Sequence, residues 1–461
     1  MKLRNLFKLV LLASVVTFIA PSCVKEGPVG PAGPAGADGT NGTDANESCK
    51  ICHSPASVDL IATQFEFSKH SYGEAAFGES GNTSCSPCHA QEAFKYVVKN
   101  NVPATFSADP NKAGFSKNDY ATIPSAAYGE IGCSTCHSSL HTTYGAADLA
   151  FTTTAAVPMT MWAGTKIIDL PQDGGVSNLC VKCHQPRPQT NLQNGQVQDY
   201  ASLIAKPNDL AYDANNNTAT TNIVRPSYRM HVHYGSVGAI FAGKGGVEFG
   251  TGYSNSKHTT EASCIDCHMG DVNGRAGGHT FKVRNSIDGT GLIATGGQND
   301  TKWNFNGCNV TGCHIDNKIS AATTTKYWKQ TRDEVKKQLE DLAAALTVGG
   351  VEILNRNNDA KTNLWAGLTK NNYDGYLNVY DPVNNPSYAA NNLGGTFQNP
   401  SSGSFTPEQK AINQALPKLS LTNAQYGAIL NFQLCLREYS LGIHNTSYTK
   451  TLLANSITAL N

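Results

Sequence analysis

The chain has no excess of charge of either sign, since 35 Lys and Arg stand against 35 Asp and Glu. Without a basic surplus a polypeptide cannot hold a phosphate backbone by charge, so nucleic acid is not an expected partner. Apolar runs of membrane-spanning length are missing too. Leu9 to Ala20 is a twelve-residue apolar stretch, where a spanning helix needs about twenty residues, and no later stretch approaches eighteen. Methionine is scarce, with five residues in 461, which narrows any chemistry that relies on thioether sulfur. Cysteine is nearly absent outside one recurring pattern, because only Cys23 and Cys435 of the 14 fall outside it.

That pattern is C-x-x-C-H. It occurs five times, as Cys49, Cys52 and His53; Cys85, Cys88 and His89; Cys133, Cys136 and His137; Cys180, Cys183 and His184; and Cys264, Cys267 and His268. A sixth copy is stretched to C-x4-C-H, as Cys308, Cys313 and His314. Two thiols at this spacing add across the two vinyl groups of one porphyrin, and the adjacent His reaches the iron as proximal ligand. With these Cys and His frequencies, one such pentapeptide would arise by chance in roughly one chain in a hundred of this length. Five copies are no accident. A disulfide framework does not call for His after every second Cys. Structural zinc sites pair two C-x-x-C units, or one unit with two spaced His. The stretched copy keeps both thiols and the His, and Gly312 lets the two extra residues loop out. The expectation is six covalently bound haems c per chain.

The N-terminus reads as an export signal of residues 1–22. Lys2, Arg4 and Lys8 supply the positive region, and Leu9 to Ala20 an apolar core too short for an anchor. Ala20-Pro21-Ser22-Cys23 then resembles a lipoprotein cleavage site with Cys23 as the lipidated residue, although Pro21 stands where an aliphatic residue is usual. Residues 23–47 follow as a spacer with Gly at 27, 30, 33, 36, 39 and 42. Six triplets are few for a collagen triple helix. A solvated, partly polyproline II tether of about 70 Å is expected, with trimerisation through these collagen-like triplets as the alternative. The expected location is the cell envelope, lipid-anchored and facing either the periplasm or the cell surface.

Residues 48–318 form the expected multihaem domain. Successive first cysteines lie 36, 48, 47, 84 and 44 residues apart, too irregular for tandem modules. Such spacing suits one body in which porphyrins form much of the core. Short helices should carry the motifs, joined by loops such as 213–222 and 286–300, and Gly243 to Tyr253 is the best place for a hairpin or ordered loop. Residues 319–461 hold no haem motif and read as a helical region that contributes a distal ligand. Trp328, Val335, Leu339, Leu342 and Leu346 recur at helical spacing within Thr323 to Thr347. Further helices are expected over Pro407 to Leu416, Thr422 to Leu441 and Tyr448 to Leu460, with Cys435 on an apolar face as a buried structural thiol. The fold class is therefore mainly α with extensive irregular loops and little strand: a haem-packed core with C-terminal helices.

What fills the sixth iron position separates electron transfer from catalysis. Beyond the six proximal histidines the chain has His70, His141, His231, His233, His258, His279 and His444, seven for six irons. His141 lies four residues past His137, on the same face of any helix, so it can serve only a neighbouring haem. His231 and His233 form an i, i+2 pair of which one should ligate, with His233 preferred. Methionine would raise the potential. Only Met159, Met161, Met230 and Met269 are placed to compete, and Met269 directly follows a proximal His.

Ser256-Lys257-His258-Thr259 ahead of Cys264-Ile265-Asp266-Cys267-His268-Met269, then Gly277-Gly278-His279-Thr280-Phe281, resembles multihaem cytochromes related to ammonia-forming nitrite reductase and hydroxylamine oxidoreductase. Ser440-Leu441-Gly442-Ile443-His444-Asn445, followed by Tyr448 and Leu452-Leu453, is similar to a C-terminal element of the same group. The resemblance covers residues 228–282 and 420–461, and it implies distal roles for His258, His279 and His444. No C-x-x-C-K haem of the nitrite reductases occurs here, and the octahaem count is missing, so the resemblance does not carry catalytic activity with it.

The sequence thus predicts an exported hexahaem cytochrome with largely bis-His irons that carries electrons between redox partners. These would be other cytochromes, quinol-oxidising or terminal reductase complexes, or an extracellular acceptor. Two alternatives stay open. One is a reductase of a small nitrogen or sulfur oxyanion with one open haem. The other is a filament-forming cytochrome in which a His is supplied by a second copy.

Overall fold

A computed structural model gives the structure of the chain. It describes residues 55–72, 85–103, 106–108, 110, 116–118, 129–140, 142, 146–162, 164–187, 200–212, 230, 232–284, 303–316, 318–320, 325–354, 375, 377, 379–384, 406–408, 411, 417 and 419–461. The signal, Cys23, the spacer, the first motif (Cys49, Cys52, His53), His141, His231, the loops 213–222 and 286–300 and most of Pro407 to Leu416 lie outside the described residues. Among those described, the chain is mostly helical with little strand.

The helices are α1 (Pro55–Glu66), α2 (Lys69–Tyr72), α3 (Ser86–His89), α4 (Gln91–Lys99), α5 (Cys133–Cys136), α6 (Val176–Cys183) and α7 (Tyr200–Ala205). They continue as α8 (Val237–Phe241), α9 (Lys257–Glu261), α10 (Cys264–His268), α11 (Gln330–Ala345), α12 (Asn423–Arg437) and α13 (Thr446–Ala459). The described strands form two-stranded antiparallel pairs, none longer than three residues. One pair, β1 (Thr347–Val348) with β2 (Val351–Glu352), turns through Gly349 and Gly350, both at positive φ as a two-residue hairpin turn requires.

Helix α12 is buried nearly all round, with Tyr426, Ile429, Leu430, Phe432, Leu434 and Cys435 at its centre. A helix apolar on every side belongs in a core. Its start is fixed by a capping box in which the Thr422 hydroxyl accepts the Gln425 N–H at 3.1 Å and the Gln425 side chain accepts the Thr422 N–H at 3.0 Å. Helix α11 packs on it through Val335, Leu339 and Leu342, and is preceded by one π turn at Thr325–Lys329. The expected helix therefore begins later and less regularly than its apolar spacing suggests.

These helices share one apolar cluster with Val157, Met159, Met161, Trp162, Met230, Ile240, Val247 and Phe249. The sequence division at 318/319 does not coincide with a break in packing. It also withdraws three methionines from any competition for iron, since Met159, Met161 and Met230 are buried in that cluster. The stretch Gly243 to Tyr253 forms no strand; it is a loop whose backbone bonds to side chains. Asn431 receives the Val247 N–H at 2.7 Å and donates to its carbonyl at 2.8 Å, while Asn455 donates to Phe249 and Thr251 at 2.8 and 2.9 Å. Buried backbone polar groups need partners, and here helices α12 and α13 provide them.

The motif-bearing part is built differently. Helices α3, α5 and α10 run four or five residues each. Its apolar clusters are small, one of Ala90, Ala93 and Val97 and another of Trp303, Phe305 and Ile319.

Candidate haem-binding centre

Among the described residues, the second, third and fifth motifs are each about one turn of helix, and the fourth ends the longer helix α6. In three of them the His N–H donates to the carbonyl of the first Cys, at 3.2 Å for His89, 2.9 Å for His137 and 3.0 Å for His184. The stretched motif has no helix, contrary to the expectation that short helices carry every motif. It nevertheless closes by the same bond, His314 N–H to the Cys308 carbonyl at 3.1 Å. The two extra residues loop outward, and Gly312 takes the positive φ of 85° that this detour demands.

Four of the histidines expected as proximal ligands come together with four of those expected as distal ligands, in pairs drawn from distant parts of the chain. His89 faces His233 with ring centres 6.1 Å apart, and His184 faces His70 at 6.0 Å. His268 faces His444 at 6.3 Å, and His314 faces His258 at 6.2 Å. His279 lies close enough to His137 for that ring's charge to reach it. Its backbone N–H is tied to Gln64 of α1 at 3.0 Å. Among the described residues no three His, Cys, Asp or Glu side chains gather around a common point.

The outer nitrogen of most of these rings is already committed. Nδ1 of His137, His184, His233, His258 and His268 bonds the carbonyls of Leu149, Gly235, Tyr234, Ile443 and Phe281, at 2.9, 3.2, 2.8, 2.6 and 2.9 Å. A carbonyl can only accept, so Nδ1 carries the proton, and in a neutral ring Nε2 keeps a free lone pair. Burial favours the neutral form. It pushes His70 down to about 4, helped by the nearby His184 and His268, and likewise holds His268 at about 4. His444 differs, because its Nδ1 meets the carboxylate of Glu438 at 2.7 Å.

Two imidazoles bound through Nε2 to opposite faces of one iron, at about 2.0 Å per bond, have ring centres about 6.3 Å apart. The four measured separations, 6.0 to 6.3 Å, match that spacing. The residues present therefore fit a haem at each of these pairs.

Thiols of different motifs also meet. Cys88 lies beside Cys183, Cys180 beside Cys264, and Cys267 beside Cys308. Cys136 lies within electrostatic reach of Cys180 and Cys183. The fourth motif is thus a hub that lies beside the second and fifth and within electrostatic reach of the third, and the fifth leads to the sixth. Of the eleven described cysteines only Cys133 and Cys313, in the third and sixth motifs, are exposed. Cys435 is buried in the helical core, away from these contacts.

Sequence reasoning missed the outer partners. Backbone carbonyl acceptors leave no trace in residue type, and Gln64 and Glu438 become partners only through the fold. Strain marks the same places: His233, Phe281, Tyr439 and Leu441 hold positive φ of 91, 54, 67 and 55° without being glycine. Backbone strain of this kind gathers where function constrains geometry. Compared with known proteins, the chain matches no family model, no curated protein and no solved structure.

Proposed function

We propose that the chain is an exported, lipid-anchored multihaem c-type cytochrome with six haems, and that it carries electrons between redox partners. The observation that carries this reading is the set of four proximal–distal histidine pairs at the spacing of a bis-His iron. Each haem, when bound, would supply a one-electron couple. The residues of the chain do the rest. Twelve cysteines fix the macrocycles at their edges. At the four described pairs, His89 with His233, His184 with His70, His268 with His444 and His314 with His258 would hold the iron between them, leaving those sites to one-electron transfer. Nδ1 bonds to carbonyls orient the rings and raise their basicity.

Thiol contacts between motifs make neighbouring sites adjoin, as electron hopping requires. The exposed thiols Cys133 and Cys313 mark edges where a partner could come close. Such partners are other cytochromes, quinol-oxidising or terminal reductase complexes, or an extracellular acceptor. Cys23 would tether the protein to a membrane of the cell envelope through its lipid.

The test is a haem count by pyridine haemochrome and mass, joined to electron paramagnetic resonance of the oxidised protein. Six covalent haems, all low-spin, are expected. A full equivalent of high-spin haem that binds nitrite or hydroxylamine would replace the carrier with the reductase. Five haems with Cys308 and Cys313 free would remove the stretched motif from the set.

A further inference from the structure

Among the described residues, five histidine Nδ1 atoms give their hydrogen bond to a neutral backbone carbonyl, and one gives it to a carboxylate. The exception is His444, whose partner Glu438 is buried with a fully covered side chain. The carboxylate is held in place. Oε2 accepts from His444 Nδ1 at 2.7 Å, and Oε1 accepts from the Ser440 hydroxyl at 2.8 Å and from the Gly442 N–H at 3.4 Å. Ser440 in turn accepts the His444 N–H at 3.0 Å, so one turn of chain locks base and ring together. Tyr439 and Leu441 take left-handed backbone angles to make that turn, a strain that a mere connection would not need.

Every hydrogen bond to this carboxyl, from His444, Ser440 and Gly442, is one in which its oxygens accept, an arrangement that suits the charged form. Arg332 of α11, itself buried against the Trp328 ring at 5.6 Å, also feels this charge. His444 remains its direct partner at 2.7 Å.

We propose that Glu438 is a positioning residue that lowers the reduction potential at the Cys264, Cys267, His268 and His444 site relative to the sites with carbonyl acceptors. This rests on the haem reading above. An anion on the Nδ1 side makes His444 a more basic ligand. The ferric state carries one more positive charge than the ferrous, and in a low-dielectric interior a fixed negative charge nearby favours it. One member of the set is thereby set apart from its neighbours, with which it shares thiol contacts on both sides through Cys180 and Cys308. It becomes a step in the path rather than one of several equal sites.

The test is Glu438→Gln in the full haem-loaded chain, followed by spectroelectrochemical titration. Glutamine keeps the size and an acceptor oxygen but removes the charge. One component should become easier to reduce by at least tenfold in its equilibrium, about 59 mV for a one-electron couple, while the others stay and every haem remains low-spin. Ser440→Ala, which leaves the carboxylate on His444, should move the same component less. A fully loaded Gln variant whose titration superimposes on the parent's would overturn the proposal and leave Glu438 a structural staple of the turn.

Should the Gln variant fail to load haem, infrared difference spectra of the parent, labelled with carbon-13 glutamate, decide the matter. An ionised carboxylate band that shifts with a single reduction step supports the proposal. A protonated carboxyl band in the oxidised protein sinks it. A parent chain without covalent haem would remove the cytochrome reading and this one together, and the haem count distinguishes that case from the others.

Discussion

The two halves of the described protein are built on different principles. The helical core around α11, α12 and α13 is an ordinary apolar core, with helices of 14 to 16 residues meeting through Leu, Ile, Phe and Tyr. The segments around the second, third and sixth motifs have helices of at most one turn at the motif itself and apolar clusters of three buried residues. On the proposed function, porphyrin when bound would supply there apolar surface of the kind that Leu and Phe supply in the other half.

The sharpest way to break this comparison is to remove a haem from each kind of place. Cys180→Ala with Cys183→Ala empties the hub, and should abolish accumulation of folded protein as well as the fourth haem. Cys133→Ala with Cys136→Ala, at an exposed motif, should cost one haem and leave the remainder assembled. Haem content per chain and soluble yield measure both. Equal damage from the two double variants would mean the motif-bearing half has no hub.

A smaller effect is expected in the other half. Leu339→Ala removes a fully buried side chain from α11 and should cost about 2–5 kcal/mol. Thermal or denaturant unfolding would show the loss, with haem content per chain unchanged. Loss of haem in proportion to the lost stability would show that the two halves do not stand apart.

Removing a distal ligand should disturb chemistry more than folding. On the proposed function, His70→Ala should convert one haem equivalent to high spin, seen by paramagnetic resonance, because thioethers at Cys180 and Cys183 would still hold that site. His258, His279 and His444 should behave alike at their own sites. No new high-spin signal on loss of His70 would break its assignment to the site of His184.

The smallest effect should come from the cap of α12. Thr422→Ala removes the hydroxyl that accepts the Gln425 N–H, for about 1 kcal/mol. Unfolding should register it, and the redox titration should not move.

The Cys–Cys–His motifs of the candidate site could be read directly, because their pattern is local in the chain. The helices at 423–437 and 446–459 were legible for a similar reason, since apolar periodicity and capping residues are local signals. Less legible was the region of Gly243 to Tyr253, where Asn431 and Asn455 stand in for a strand partner. A polar residue on a helix does not announce which loop it will hold.

The sequence by itself therefore determined the six Cys–Cys–His motifs, their local spacing and the pool of histidines. It could not say which distal ring meets which proximal one. Those pairs join residues far apart in the chain, such as His70 with His184 and His268 with His444, and only packing brings them face to face. Nor could it show the acceptor behind each ring, because a carbonyl belongs to every residue type alike. Glu438 is the clearest case: six residues before His444 it is an unremarkable acid, and the turn through Gly442 makes it the partner of that ring. Covalent chemistry is written in neighbouring residues, whereas the environment of each ligand is a property of the folded interior, where distance and burial set the strength of every charge.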